Sequence, residues 1–147
     1  MAKLLLAASI VWPTLLGSAW WASVNHTAYG LSVPTYLVAS RVCHQRLERT
    51  FWIAGQPLPV CGRCTGLYLA APFGALAAVF SRRNRSRMPP IGWLIAAAIP
   101  TALTFALEHF GVADISNATR ALSALPLGAA TAFYVIAVAS QKSEVRS

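Results

Sequence analysis

The sequence predicts an all-α integral membrane protein, with four transmembrane helices and an irregular outer-face loop that carries a Cys/His motif. Hydrophobic residues make up 56% of the 147 positions and charged residues only 11%, which is unusual for a soluble domain of this size. The charges are clustered, and no Asp, Glu, Lys or Arg occurs in residues 4–40, 64–81, 88–107 or 121–141. Each interval can supply the ~18 to 20 apolar residues that cross a hydrocarbon core about 30 Å thick.

The predicted spans form a single membrane domain. They cover residues 4–22, 64–80, 90–108 and 120–140 of a domain that extends over 1–147. The first span could instead be a cleaved signal peptide, because the small residues 17–19 follow its apolar run. Its length and the pair Trp20 and Trp21, which is typical of a membrane interface, favour an uncleaved helix that Pro13 bends.

Residues 24–42 are apolar but do not predict another full span. Polar residues, Gly30 and Pro34 interrupt this stretch. We expect residues 35–42 to form a short helix along the membrane interface, leading into Cys43.

A stripe of small residues marks one face of the second span. These residues recur every fourth position, as Gly62, Gly66, Ala70, Gly74 and Ala78. The fourth span repeats the pattern with Ala124, Gly128 and Ala132. Because side chains four residues apart lie on the same helical face and small ones permit close approach, the second and fourth spans are predicted to be the tightest pair.

The distribution of Lys and Arg predicts the orientation. One side would carry Lys3, Arg82, Arg83, Arg85, Arg87, Lys142 and Arg146, and the other Arg41, Arg46, Arg49, Arg63 and Arg120. Since positive loops stay in the cytoplasm, both termini are predicted to be cytoplasmic in a multi-pass protein of the cell (inner) membrane. The Cys/His loop and the link between the third and fourth spans then share the outer face.

The net charge of +8 does not indicate nucleic-acid binding. The arginines at 82–87 lie in a short loop without interleaved aromatic residues, so they are interpreted as orientation determinants. The expected partner is the lipid bilayer, with a second copy of the chain or another membrane protein as further possibilities.

Residues 43–66 contain all three cysteines and form a motif that resembles one of a known family. The motif Cys43-His44-Gln45 is followed by Arg49-Thr50-Phe51, by Gly55 and by the run from Cys61 to Gly66, Cys-Gly-Arg-Cys-Thr-Gly. It resembles the signature of a family of small prokaryotic membrane proteins known as domain of unknown function 2085. Glu108, Ser116-Asn117, Arg120 and Gly128 are similar to its later part, although the family often has Asp where Glu108 stands. The resemblance implies a membrane protein and no particular activity.

A metal site is the first of three hypotheses for this motif. Cys43, Cys61 and Cys64, with His44, form a soft ligand set that suits zinc, iron or copper. Because Cys43 and His44 are adjacent, their side chains diverge in regular structure, so Glu108 or His109 could complete the set instead. Supporting roles are expected for Gln45, Arg49, Arg63, Glu108, Asn117 and Arg120.

Thiol chemistry and a structural role are the alternatives. Cys61 and Cys64 at a helix N-terminus, with Arg63 between them, favour a reactive thiolate, and Cys43 could exchange a disulfide with them. By architecture alone this resembles quinone-linked disulfide-forming enzymes, so a quinone is the alternative cofactor. Alternatively, the cysteines tie the loop by a disulfide in a structural or accessory subunit.

Overall fold

The computed structural model describes residues 2–26, 29–81 and 90–144, which form five helices and one β-hairpin. In chain order the elements are α1 (Ala2–Val24), α2 (Tyr29–Val42), a 3-10 turn (Leu47–Arg49), β1 (Thr50–Ile53), β2 (Gln56–Cys61), α3 (Gly62–Ser81), α4 (Gly92–His109) and α5 (Asn117–Glu144). The mostly helical prediction is confirmed, and the hairpin corrects the expectation of an all-α chain. The arginines at 82–87 lie outside the described residues.

Three helices in the described part of the chain are long and apolar enough to cross a membrane. They are α1, α3 and the segment Asn117–Ser140 of α5. Each contains one proline, which a membrane helix tolerates when neighbouring groups satisfy the freed carbonyl. Helix α4 coincides with the predicted span at 90–108 but is not one of these three, so the count of four spans stays a prediction.

Helices α3 and α5 pack directly against each other through the small residues predicted for this contact. All five residues of the α3 stripe are buried. A methyl group at Gly66 would overlap the backbone carbonyl of Ala121, and one at Gly74 would overlap that of Ala129. From the first contact to the second, the residue number rises by eight in both helices. The two helices therefore run parallel, and their N-termini lie at the same end of the molecule.

Helix α1 runs in the opposite direction beside this pair. Its first residues, including Leu5 and Leu6, pack against the cluster formed by Ala75, Ala78 and Ile136 near the C-terminal ends of α3 and α5. Ten residues later, Leu16 lies in the cluster that surrounds Cys43. The two ends of α1 therefore contact opposite ends of α3 and α5.

Helix α2 is longer than the predicted interfacial helix. It begins at Tyr29 rather than near residue 35, and Pro34 lies inside it. Its 14 residues span only ~21 Å at 1.5 Å per residue, which is too short for the hydrocarbon core. The expectation that residues 24–42 do not form a full span agrees with this length.

The prediction of an irregular loop between residues 43 and 61 is wrong in one respect, because most of this segment is an antiparallel hairpin. Its turn consists of Ala54 and Gly55, with φ values of 51° and 74°. Positive φ at both central residues is typical of the two-residue turns that match the twist of paired strands. Pro57 and Pro59 lie within β2, and proline is tolerated there because both strands of a two-stranded sheet are edge strands.

The contact between α3 and α5 predicts that even alanine is too large at Gly66 and Gly74 of the α3 stripe. Gly66→Ala and Gly74→Ala should each lower the free energy of unfolding by about 1 to 3 kcal/mol, the usual cost of overpacking. The matched control is Gly17→Ala, since a methyl group at Gly17 would meet nothing within 4 Å. Thermal unfolding in mild detergent measures the difference, and equal midpoints for Gly66→Ala and Gly17→Ala would contradict the packing.

Candidate functional site

The three cysteine thiols converge where α2, the hairpin and α3 meet. Cys43 directly follows α2, Cys61 ends β2 and Cys64 lies in the first turn of α3. All three sulfur atoms lie within 4.8 Å of one another. The Sγ atoms of Cys61 and Cys64 are 3.5 Å apart, and the backbone N–H of Cys61 donates to the sulfur of Cys43 at 3.2 Å. The hairpin therefore joins thiols that are 18 residues apart in the chain.

Gln45 fixes the hairpin against α2. Its backbone has a φ of 45°, in the left-handed region, which turns the chain directly after Cys43. Its side-chain amide donates to the carbonyls of Tyr36 in α2 and Pro59 in β2, at 2.9 and 2.7 Å. The hydroxyl of Tyr36 donates in turn to the carbonyl of Pro57. Gln45 thus holds the thiol-bearing elements together without contacting a thiol itself.

One side of the thiol cluster is apolar and closed. Cys43 is buried in a cluster with Leu16, Ala39 and Val60, against which Trp12 and Tyr68 also pack. Cys61 and Cys64 are only partly buried. A ligand or reagent therefore reaches the sulfur atoms from the side of Cys61 and Cys64.

Hydrogen bonds at the start of α3 stabilise a thiolate at Cys61. The bond from the Cys64 thiol, assisted by bonds from the backbone N–H groups of Cys64 and Arg63 and from Cys43, lowers the pKa of Cys61 to about 5, although burial opposes this. Donors that favour the charged form have this effect, which is typical of cysteines at helix N-termini. Cys61 is then largely deprotonated at neutral pH.

A second polar cluster lies next to the thiols and is centred on Glu108, near the end of α4. Its carboxylate contacts Arg49, Arg63 and Arg120 at 2.9, 2.8 and 2.9 Å. The side chain of Glu108 is only 13% exposed, and those of Arg63 and Arg120 are 15% and 11% exposed. Three arginines from three parts of the chain therefore share one largely buried carboxylate.

Asn117 connects this cluster to the hairpin. Its side-chain amide donates to the carbonyl of Thr50 in β1 at 3.0 Å, and its side-chain oxygen accepts a bond from Arg120 at 2.6 Å. Ser116, which directly precedes α5, caps this helix with its hydroxyl, which accepts the N–H of Thr119 at 3.1 Å. Asn117 thereby positions the start of α5 against β1.

A cavity of about 430 Å³ opens between the thiols and the Glu108 cluster. Its lining combines thiols, guanidinium groups, two imidazoles and some apolar surface. The lining residues are Val42, Cys43, His44, Arg46, Arg49, Cys61, Arg63, Cys64, Phe105, Glu108, His109 and Arg120. Any molecule held there would contact both the sulfur atoms and the arginines.

The structure places the residues that were expected to bind a metal in different positions. The three thiols form one cluster of ligand atoms, whereas His44 is exposed and does not belong to it. Both carboxylate oxygens of Glu108 are engaged by arginines, so the geometry fits a supporting role as an arginine partner better than a role as a ligand. His109 stacks on the ring of Phe105, with their centroids 6.0 Å apart.

Two contributors to the site were missed from the sequence. The ring of Phe105 lies under the guanidinium of Arg63 at 5.5 Å. Its position three residues before Glu108, on the same face of α4, was a usable signal. Thr50 is buried and supplies the carbonyl that Asn117 contacts. No local pattern indicates that second contact, because its partners are 67 residues apart.

The fold and the site define a small, mostly helical membrane protein with a thiol cluster at a charged cavity. The chain belongs to the family described as "Predicted membrane protein (DUF2085)", whose model matches residues 43–134. The resemblance seen in the motif from Cys43 to Gly66 is thereby confirmed. The matched region contains all three thiols, Glu108 and Arg120.

Two archaeal proteins are similar to this chain. The uncharacterised protein MJ1492 of Methanocaldococcus jannaschii is 29% identical over 109 residues, which cover 74% of this chain and 70% of that protein. An uncharacterised protein of Methanothermobacter thermautotrophicus is 32% identical over 87 residues, covering 59% of this chain and 78% of that protein. No solved structure matches the chain.

The lowered pKa of Cys61 predicts unusual pH dependence of its alkylation. In reduced, metal-free protein, Cys61 should react with iodoacetamide at a nearly constant rate from pH 6 to 8 and lose reactivity only as the pH falls through about 5. An ordinary thiol, with a pKa of about 8.5, gains reactivity roughly tenfold per pH unit over this range. Peptide mass spectrometry measures the rate.

Cys64→Ala provides the control for this measurement, because it removes the thiol that donates to Cys61. The pKa of Cys61 should then move back toward its ordinary value, and its alkylation at pH 6 should slow. A rate in the unmodified chain that keeps rising through pH 8 would contradict the assignment.

Proposed function

We propose that the protein is a membrane metalloprotein in which the thiolates of Cys43, Cys61 and Cys64 bind one zinc, iron or copper(I) ion at the membrane surface. The observation that supports it is the approach of all three sulfur atoms to within 4.8 Å. With zinc–sulfur bonds of about 2.3 Å, the sulfur atoms of a tetrahedral site lie about 3.8 Å apart. Small side-chain movements would give this geometry.

The charges around the thiols favour such a site. Three thiolates and one divalent cation carry a net charge of −1, and burial of that charge is costly unless compensating groups lie nearby. Arg46, Arg49, Arg63 and Arg120 line the same cavity, with Glu108 as its single carboxylate. The surplus of positive charge would stabilise thiolates and a negatively charged metal centre.

The fourth coordination position would face the cavity. The opposite side is closed by the apolar residues around Cys43. His44 and His109 line the cavity and are candidates for a fourth ligand after a change of rotamer. Otherwise a water molecule or small ligand would take the position, as in catalytic rather than structural metal sites.

Thiol–disulfide oxidoreductase activity is the second candidate. The distance of 3.5 Å between the sulfur atoms of Cys61 and Cys64 favours it. In such a step two thiols form a disulfide, and the two electrons and two protons released reduce a membrane quinone to a quinol. Cys43 would be the third partner and would exchange the disulfide with Cys61 and Cys64. A structural or accessory subunit with a disulfide-tied loop is the remaining alternative.

Four membrane spans, with both termini in the cytoplasm of a multi-pass cell-membrane protein, are part of the proposal. Helices α3 and α5 run parallel, so the chain between them must return to the end where both begin. Helix α4 lies in this connection, and its Glu108 contacts Arg63 and Arg120 near the starts of α3 and α5. Its 18 residues measure ~27 Å. A membrane-crossing α4 would explain this path.

Metal analysis tests the proposed centre. Protein purified anaerobically in mild detergent should contain one metal ion per chain, and Cys43→Ser, Cys61→Ser or Cys64→Ser should each remove more than about nine-tenths of it, because loss of one thiolate opens the site. His44→Ala should retain the metal if the fourth ligand is not His44. Mass spectrometry of the intact protein and elemental analysis provide the measurement.

The same preparation separates the candidates. Absence of stoichiometric metal, together with a count of free thiols that falls by two on addition of a quinone, would favour the oxidoreductase. Metal that persists undiminished in all three serine variants would show that it binds elsewhere, which would end the proposal of a three-thiolate centre.

Epitope accessibility tests the topology. We expect an epitope inserted after Val112, which is 69% exposed in the link between α4 and α5, to be protected from added protease in inside-out vesicles. Epitopes at the two termini should be cleaved in the same vesicles. Three spans would instead place the termini on opposite sides, so that only one terminal epitope is cleaved.

A further inference from the structure

We infer that the cavity beside the thiols is a binding site for a phosphate-type oxyanion, held by its arginines. The inference adds a second ligand to this cavity and does not require a metal ion. It rests on the charges of the lining, on the hydrogen-bonding capacity of the guanidinium groups and on the volume and position of the cavity.

The lining carries a surplus of positive charge. Four arginines face a single carboxylate, that of Glu108. A thiolate at Cys61 reduces the surplus but does not remove it. Clefts lined by charges of one sign attract the opposite sign, since the surrounding low-dielectric protein concentrates the field.

Glu108 cannot satisfy these arginines alone. Its Oε1 accepts from Arg49 and Arg120, and its Oε2 accepts from Arg63 and Arg120. A carboxylate offers about four lone-pair sites, so Glu108 is saturated. Each guanidinium has five N–H donors, and within the described part of the chain those of Arg49 and Arg63 each have one acceptor, the Glu108 carboxylate. The Nε of Arg63 is buried and has no partner among the described residues.

Partly buried donors of this kind favour an acceptor-rich anion. A buried donor without an acceptor is costly, and guanidinium groups bind phosphate and carboxylate through paired N–H bonds. Glu108 already provides the one carboxylate, and the arginine side chains that carry the remaining donors line the adjacent cavity. A tetrahedral oxyanion offers acceptors in several directions and suits donors that converge from separate elements.

The volume and the position of the cavity fit a small anionic ligand. About 430 Å³ lies within the usual range of small-molecule pockets, about 300 to 1,000 Å³. The cavity lies beside the start of α3, whose dipole places partial positive charge there. Both a free phosphate compound and the headgroup of a phospholipid offer this chemistry.

Arg46 provides a variant that leaves the fold intact. It lines the cavity, its side chain is 57% exposed, and its ion pair is with the exposed Glu48 rather than Glu108. Arg41, also exposed, does not line the cavity and serves as the matched control. Arg46→Gln should weaken anion binding about fivefold, as expected for loss of one partly screened charge, whereas Arg41→Gln should leave it unchanged.

Thermal unfolding of the full chain in detergent, with inorganic phosphate compared with chloride at equal ionic strength, tests the inference. A higher unfolding midpoint in phosphate than in chloride supports a site for free oxyanions, provided that Arg46→Gln needs about fivefold more phosphate than Arg41→Gln for the same rise in midpoint. If inorganic phosphate has no effect but short-chain phosphatidic acid stabilises the protein relative to phosphatidylcholine, with the same dependence on Arg46, the ligand is a lipid phosphate.

Two outcomes would overturn the inference. One is that neither phosphate nor phosphatidic acid stabilises the chain beyond its matched reference. The other is equal stabilisation of the two arginine variants, which would indicate adsorption elsewhere. The measurement is made on both metal-free and metal-containing protein, so failure of the metal proposal leaves this result interpretable.

Glu108→Gln should change phosphate binding in the opposite direction to Arg46→Gln. The substitution removes the charge that competes for the arginines, so phosphate should bind several-fold more tightly to the variant. A purely structural role of Glu108 would produce lower stability without tighter binding. Weaker phosphate binding by folded Glu108→Gln protein would contradict the competition on which this expectation depends.

Discussion

The shared carboxylate of Glu108 is the interaction on which the geometry of the site depends. It joins the end of α4 to Arg49 beside the hairpin, to Arg63 in α3 and to Arg120 in α5. These groups are largely buried, and a buried ion pair that loses one partner leaves an uncompensated charge at high cost. The arrangement therefore fixes four elements relative to one another. Because one carboxylate serves three guanidinium groups, it also leaves the adjacent cavity positive.

The parallel packing of α3 and α5 makes that interaction possible. With Gly66 and Gly74 against the backbone of α5, the helices approach so closely that their first turns lie side by side. Arg63 and Arg120 occupy those turns and reach the same carboxylate. The small residues along the two helices and the charged residues in their first turns are thus parts of one arrangement.

Local patterns in the sequence were sufficient for much of this structure. Charge-free intervals located α1, α3, α4 and α5, and the four-residue spacing of small residues identified the pair that packs closely. The hairpin was not predicted because Pro57 and Pro59 are unusual residues for a strand. The two strands pair only because the chain turns at Ala54 and Gly55. The thiol cluster does not include His44, in agreement with the divergence expected for the adjacent side chains of Cys43 and His44. The contact from Asn117 to Thr50 depends on tertiary packing, and no spacing rule encodes it.

The cover over Cys43 has a consequence for relatives of this protein. The family pattern begins at residue 43, yet Leu16 of α1 and Ala39 of α2 enclose the first thiol. The sulfur atom of Cys43 is therefore shielded by residues that the shared pattern does not specify. Replacing these two residues would alter how fast reagents reach Cys43 while every residue of the pattern stayed the same. Proteins with an identical motif can accordingly differ in the lability of their thiols.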